Sequence, residues 1–178
     1  MVYFGVFFIF LLFILNDLNQ LHHNYSGLRL LFPIGILLLI GLSIYAVVIS
    51  PVSFTFSWPI RLLTSLLSFL NFVLLIYTLF FALPVKETFV EGSKQPLCTT
   101  GVYHICRHPG FWFLAGIYLF AGLSFGKLIF LYLGLMVSIC NFIYIYIQDQ
   151  YIFPKLFEGY TQYQKNTAFI IPYAKRSK

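Results

Sequence analysis

Residues 109–149 read PGFWFLAGIYLFAGLSFGKLIFLYLGLMVSICNFIYIYIQD, and Lys127 is the only formal charge before Asp149 closes the stretch. Phe111 to Phe125 is uncharged, and so is Leu128 to Ile147. A bilayer-spanning helix needs about 20 mainly apolar residues, with about 17 to 25 tolerated. The second run meets that length alone, and the first meets it by extending back into the Arg107-His108-Pro109 region. The stretch therefore reads as two transmembrane helices in a tight hairpin around Phe125-Gly126-Lys127. A short connection makes neighbouring helices antiparallel, so Arg107 and Asp149 occupy the two ends of the hairpin on one membrane face.

The same pattern extends toward the N-terminus. Met1 to Leu18 carries one charge, Asp17, and neither Leu30 to Ser50 nor Leu62 to Leu83 carries any. Of the 178 residues, 60% are hydrophobic, 21% aromatic and 9% charged, against roughly 25% charged in a soluble domain. That composition excludes an ordinary wetted surface. The expected fold is an all-α integral membrane protein with five transmembrane helices in one domain, 1–178. Three spans fill 1–83, and 84–178 holds a polar loop, the hairpin and a cytoplasmic amphipathic tail. The opening MVYFGVFFIFLLFIL has no basic residue ahead of it and no small-residue cleavage pattern behind it, so it is expected to stay as the first helix.

Charge sets the orientation. With five spans, the loop near Arg29, the loop Pro84 to Pro109 and the tail share one side, with nine of the eleven Lys and Arg residues. Only Arg61 and Lys127 fall opposite. The positive-inside bias places the loop and the tail in the cytoplasm and the N-terminus outside, and a chain this small fits a bacterial plasma membrane. The net charge of +6 follows from this asymmetry and from attraction to anionic lipid. No basic stripe is interleaved with aromatics, so no nucleic-acid partner is expected. Cys98, Cys106 and Cys140 form no CxxC pair, which argues against a disulfide framework and against a metal site. The sequon at Asn24 falls in a cytoplasmic loop and should stay unglycosylated, and His22-His23 reads as a solvated interfacial pair.

Polar chemistry concentrates in TTGVYHICRHPGFW, residues 99–112, and in the tail from Gln148. Pro109 disfavours the α conformation at His108, so a helix should start at or just after Pro109. Unsatisfied N–H groups at such a start attract an anion. Arg107 adds a bidentate cation suited to carboxylate or phosphate, and His108 donates or accepts near neutral pH. Asp149 is the one acid near the hairpin ends that can balance Arg107. A juxtamembrane basic cluster holding lipid headgroups is the plain alternative.

The stretch LCTTGVYHICRHPGFWFLAGIYLFAGL resembles the signature of the membrane methyltransferases that include isoprenylcysteine carboxyl methyltransferase and the phospholipid N-methyltransferases. Gly101, Tyr103, Arg107, His108 and Pro109 match its first part, with Gly116 and Gly122 in the helix. Phe157, Tyr160, Tyr163 and Ile171-Pro172 match a second part beyond the hairpin. Three positions depart from the pattern: Asp149-Gln150 stands where the family has two glutamates, Phe111 where a tyrosine is usual, and Glu158 where a glycine follows Phe157.

The resemblance implies S-adenosylmethionine-dependent methyl transfer to a lipophilic or small-molecule acceptor at the cytoplasmic membrane face. It implies cofactor contacts from Tyr103, His108, Pro109, Asp149 and Gln150, with Arg107, His108 and Asp149 as the catalytic set. For the missing glutamate, the Gln150 carbonyl could still accept, and Glu158 is the other expected compensation. Tyr160 and Tyr163, three apart, would share a helical face, and packing of an amphipathic tail on the membrane accounts for them equally well. Trp112 reads as part of an interfacial aromatic belt. Two other classes stay open. One is a non-catalytic relative that binds a lipid or a partner protein. The other is an NADPH-dependent membrane reductase, suggested by Ile170 to Tyr173 but lacking the Asn-Tyr expected after Pro109.

Overall fold

The computed structural model describes residues 2–22, 25–81 and 97–171, and among them every regular element is helical and no strand is present. The chain forms α1 (Val2–His22), a 3₁₀ turn (Ser26–Leu30), α2 (Leu31–Ile49) and α3 (Trp58–Ile76), which ends in a π-helical turn (Tyr77–Phe81). Then come the single turn α4 (Val102–Ile105), α5 (Pro109–Phe125), α6 (Leu128–Ile147), a second π turn (Gln148–Ile152), α7 (Phe153–Leu156) and α8 (Tyr160–Asn166).

Four helical stretches are long and apolar enough to cross a membrane: Phe4–His22, Ser26–Ile49, Trp58–Leu79 and Leu128–Leu156. The fifth apolar helix, α5, has 17 residues. Of α2 only Gly35 and Ala46 are buried, and Leu37, Ile40, Ile44 and Val48 point outward. A helix apolar on all sides and exposed on most of them suits hydrocarbon rather than water. The helices stand in a row of neighbours: α3 against α5, α5 against α6, α6 against α1 and α1 against α2. Leu133, Val137, Cys140 and Tyr144 of α6 meet Val6, Ile9, Phe10 and Phe13 of α1 in the core.

α3 begins at Trp58, four residues before the uncharged run at Leu62, because Pro59 suits a first helical turn and Arg61 finds a partner. Arg61 Nε donates to the carbonyl of Ser124, 3.3 Å away in the last turn of α5, where the helix dipole favours a cation. The hairpin turn depends on Gly126, left-handed at φ 66°, whose N–H closes onto Gly122 O at 3.0 Å. Its carbonyl accepts the N–H groups of Ser53 and Phe54 at 2.7 and 3.2 Å, so the α2–α3 connection is seated on the turn. Along the hairpin, a Cβ on Gly134 would lie 2.4 Å from the Cβ of Tyr118. The missing side chain lets α5 and α6 approach closely, as small residues do inside membranes.

Candidate functional site

α5 starts at Pro109, whose ring presets the first helical turn, and His108 immediately before it is non-helical, at φ −127° and ψ 62°. The segment before the helix pairs with the end of the chain. Arg107 N–H donates to Ala168 O at 2.9 Å and His108 N–H to Phe169 O at 3.2 Å. On the other strand of the hairpin, α6 passes into a π turn at Gln148, and π turns recur at functional sites. Asp149 lies in that turn, fully buried at 0% exposure.

These elements converge on one carboxylate. Arg107 Nε donates to Asp149 Oδ1 at 2.7 Å and Arg107 Nη2 to Oδ2 at 2.9 Å, a bidentate pair. Tyr160 OH donates to Oδ1 at 2.6 Å, and His108 Nε2 lies 3.3 Å from the same oxygen. Gln150 Nε2 and Gln164 Nε2 donate to Oδ2 at 2.8 and 3.2 Å. Arg107 Nη1 in turn donates to the carbonyls of Gln164 and Thr167, and its guanidinium lies 5.7 Å over the Phe169 ring. One buried ion pair thus ties the loop before α5, the end of α6 and the C-terminal tail.

Burial pushes the His108 imidazole below its ordinary value of 6.5, outweighing the attraction of Asp149. His108 is accordingly neutral, with Nε2–H toward the carboxylate, and its ring stacks on Phe153 at 5.8 Å. Burial, followed by the Asp149 carboxylate, pushes Tyr160 well above 10.0 and keeps it a donor. Burial takes Tyr103 up to about 12, with Cys98 and Cys106 acting in the same direction.

Of the residues singled out in the sequence, Arg107, His108, Asp149 and Gln150 meet in this knot, and Pro109 is buried at its edge. Tyr103 stands beside them: its OH donates to Thr78 O at 3.0 Å and its carbonyl accepts from Tyr163 OH. Tyr160 and Tyr163 are buried inside this assembly, which replaces the membrane-packing alternative. Trp112, read from the sequence as part of an aromatic belt, donates its Nε1–H to Ile170 O at 2.8 Å and pins the tail. Glu158 is exposed on the turn before Gly159. The loop from Pro84 as far as residue 96, the sequon at Asn24, His23 and the Pro172-Tyr173 end of the second motif lie outside the described residues.

Sequence reasoning missed Gln164, whose Nε2 also bonds Asp149 O at 2.6 Å. It also missed the carbonyls of Thr167, Ala168 and Phe169. A glutamine one helical turn from Tyr160 was the only available signal. Beside the knot, Val102, Ile105, Cys106, Pro109, Trp112 and Phe113 line an apolar cavity of about 150 Å³. Comparison with protein-family models, with curated proteins and with solved structures found no match.

Proposed function

We propose that the chain is a five-span integral membrane protein, with its N-terminus outside and its knot and tail at the cytoplasmic face. There it transfers methyl groups from S-adenosylmethionine to a lipophilic acceptor. One observation carries this proposal. Arg107 of the first segment that resembles the membrane methyltransferases and Tyr160 of the second both reach Asp149, which stands 42 positions after Arg107 where that family carries its acidic pair. α5, at 17 residues, is about 26 Å long, close to the hydrocarbon thickness.

The described residues do not by themselves fit the cofactor. A carboxylate offers about four lone-pair sites, and Asp149 already faces five side chains supplying six donor atoms. It has no capacity left for a cofactor ammonium. The cavity of about 150 Å³ also falls below the roughly 300–1,000 Å³ of ordinary ligand pockets. Asp149 is therefore a positioning residue that fixes Arg107 and His108, and no chemical step is routed through the cofactor. Contacts from Tyr103, His108, Pro109 and Gln150 remain part of the proposal, together with the loop from Pro84.

The saturation of Asp149 favours a second function: a non-catalytic relative that keeps the knot as a fastening for its tail and binds lipid. Transfer of a labelled methyl group from S-adenosylmethionine into a lipid extract, with purified protein in nanodiscs, separates the two. Incorporation above a protein-free control supports the enzyme. None, from folded protein, supports the fastening.

A further inference from the structure

A second polar cluster lies between α1 and the end of α6, and the chemistry of the knot does not use it. Asp17 is 7% exposed. Its Oδ2 accepts from Tyr144 OH at 2.9 Å and from Gln148 Nε2 at 2.8 Å. Among the described residues its Oδ1 accepts one long bond, from Asn16 Nδ2 at 3.3 Å. Among the described residues no Lys, Arg or His forms an ion pair with Asp17. An acid inside a bilayer-length apolar helix is costly, and where one occurs it marks a pathway or a binding site.

The residue next to it gives a second, independent observation. Asn16 is 2% exposed, and its Oδ1 is the one buried side-chain polar atom without a hydrogen-bond partner among the described residues. Buried polar atoms are nearly always satisfied, so such an exception calls for an explanation. Among the described residues, then, Asn16 Oδ1 has no partner, Asp17 Oδ1 has one weak one, and no cationic side chain pairs with the carboxylate.

We infer that Asn16 and Asp17 bind a monovalent metal cation of the sodium type. A single carboxylate balances one positive charge. Carboxylate and amide oxygens are hard donors that suit alkali and alkaline-earth ions over softer metals. Calcium takes six to eight oxygens, usually from several carboxylates, and this cluster offers one carboxylate. Tyr144 and Gln148 hold the other carboxylate oxygen, which fixes the orientation of the first.

The test uses the full chain in nanodiscs, with thermal unfolding followed in NaCl, LiCl, KCl and choline chloride at equal ionic strength. A ligand that binds only the folded state raises Tm with the logarithm of its concentration. The expected result is such a rise for at least one alkali chloride over choline chloride, lost in Asp17→Asn and reduced in Asn16→Ala. Equilibrium binding of radioactive sodium to the wild-type protein gives a second readout if Asp17→Asn does not fold. Equal Tm in all four salts overturns the site. So does a cation response that Asn16→Ala leaves whole, or stabilisation by acid alone, which would mean that Asp17 carries a proton.

Discussion

Arg107 and Asp149 form a bidentate ion pair, with contacts of 2.7 and 2.9 Å, across a hairpin of two apolar helices. Neither partner can leave without stranding the other, because the side chains are 9% and 0% exposed. Removing one member of such a pair costs about 3–5 kcal/mol, chiefly the penalty of an uncompensated buried charge. Arg107→Ala and Asp149→Ala should each destabilise the protein by about that much in denaturant unfolding. The double variant should recover part of the loss. Additive losses would show that the pair is not coupled.

Tyr160→Phe removes a single donor from a carboxylate that keeps five others. A hydrogen bond to a charged group contributes about 1.5–3 kcal/mol, so the loss should fall in that range while the tail stays docked. Limited proteolysis of the region after α8 checks the second half: no new cleavage is expected in Tyr160→Phe, and ready cleavage is expected in Arg107→Ala.

Acid should weaken the fold through His108. Its folded value lies below the ordinary 6.5, so the unfolded imidazole takes up a proton as pH falls through that value while the folded one resists. The contribution is fully present above about 6.5 and is lost progressively as pH drops toward the folded value. His108→Gln, which keeps an amide donor for Asp149, should flatten this part of the Tm–pH profile. An unchanged slope below pH 6.5 would show that another group governs it.

Gly126→Ala should be among the most damaging single-methyl changes. The residue is left-handed at φ 66°, and a Cβ there would lie 1.9 Å from the backbone oxygen of Phe54. Both the turn and the α2–α3 connection must shift. Gly134→Ala meets the Cβ of Tyr118 at 2.4 Å, so it should push α5 from α6 and cost about 1–3 kcal/mol. Thermal unfolding of both variants in the same nanodisc lipid gives the comparison.

Four helices long and apolar enough to cross a membrane were legible because length and apolarity alone decide them, and the hairpin was legible because Gly126-Lys127 is the only interruption. The pairing of Arg107 with Asp149 was legible for a simple reason: only one acid stands near the hairpin ends. The tail was not. Gln164 and the carbonyls of residues 167–169 act through hydrogen bonds that polar spacing does not encode, and a seven-residue helix gives too little periodicity to show which face turns inward. The buried state of Tyr160 and Tyr163 depends on the same tertiary contacts. Asp17 looked like a charge ending an apolar run, and its partners, Tyr144 on α6 and Gln148 in the π turn after it, lie 127 and 131 residues away.

Calorimetric binding of S-adenosylmethionine and S-adenosylhomocysteine to the purified protein in nanodiscs, with NADPH as the comparison ligand, tests the methyltransferase proposal most directly. Saturable binding of the adenosyl ligands, absent for NADPH and weakened by Gln150→Ala with the fold intact, is the predicted result. No adenosyl binding by protein shown to be folded, or binding of NADPH alone, would contradict it.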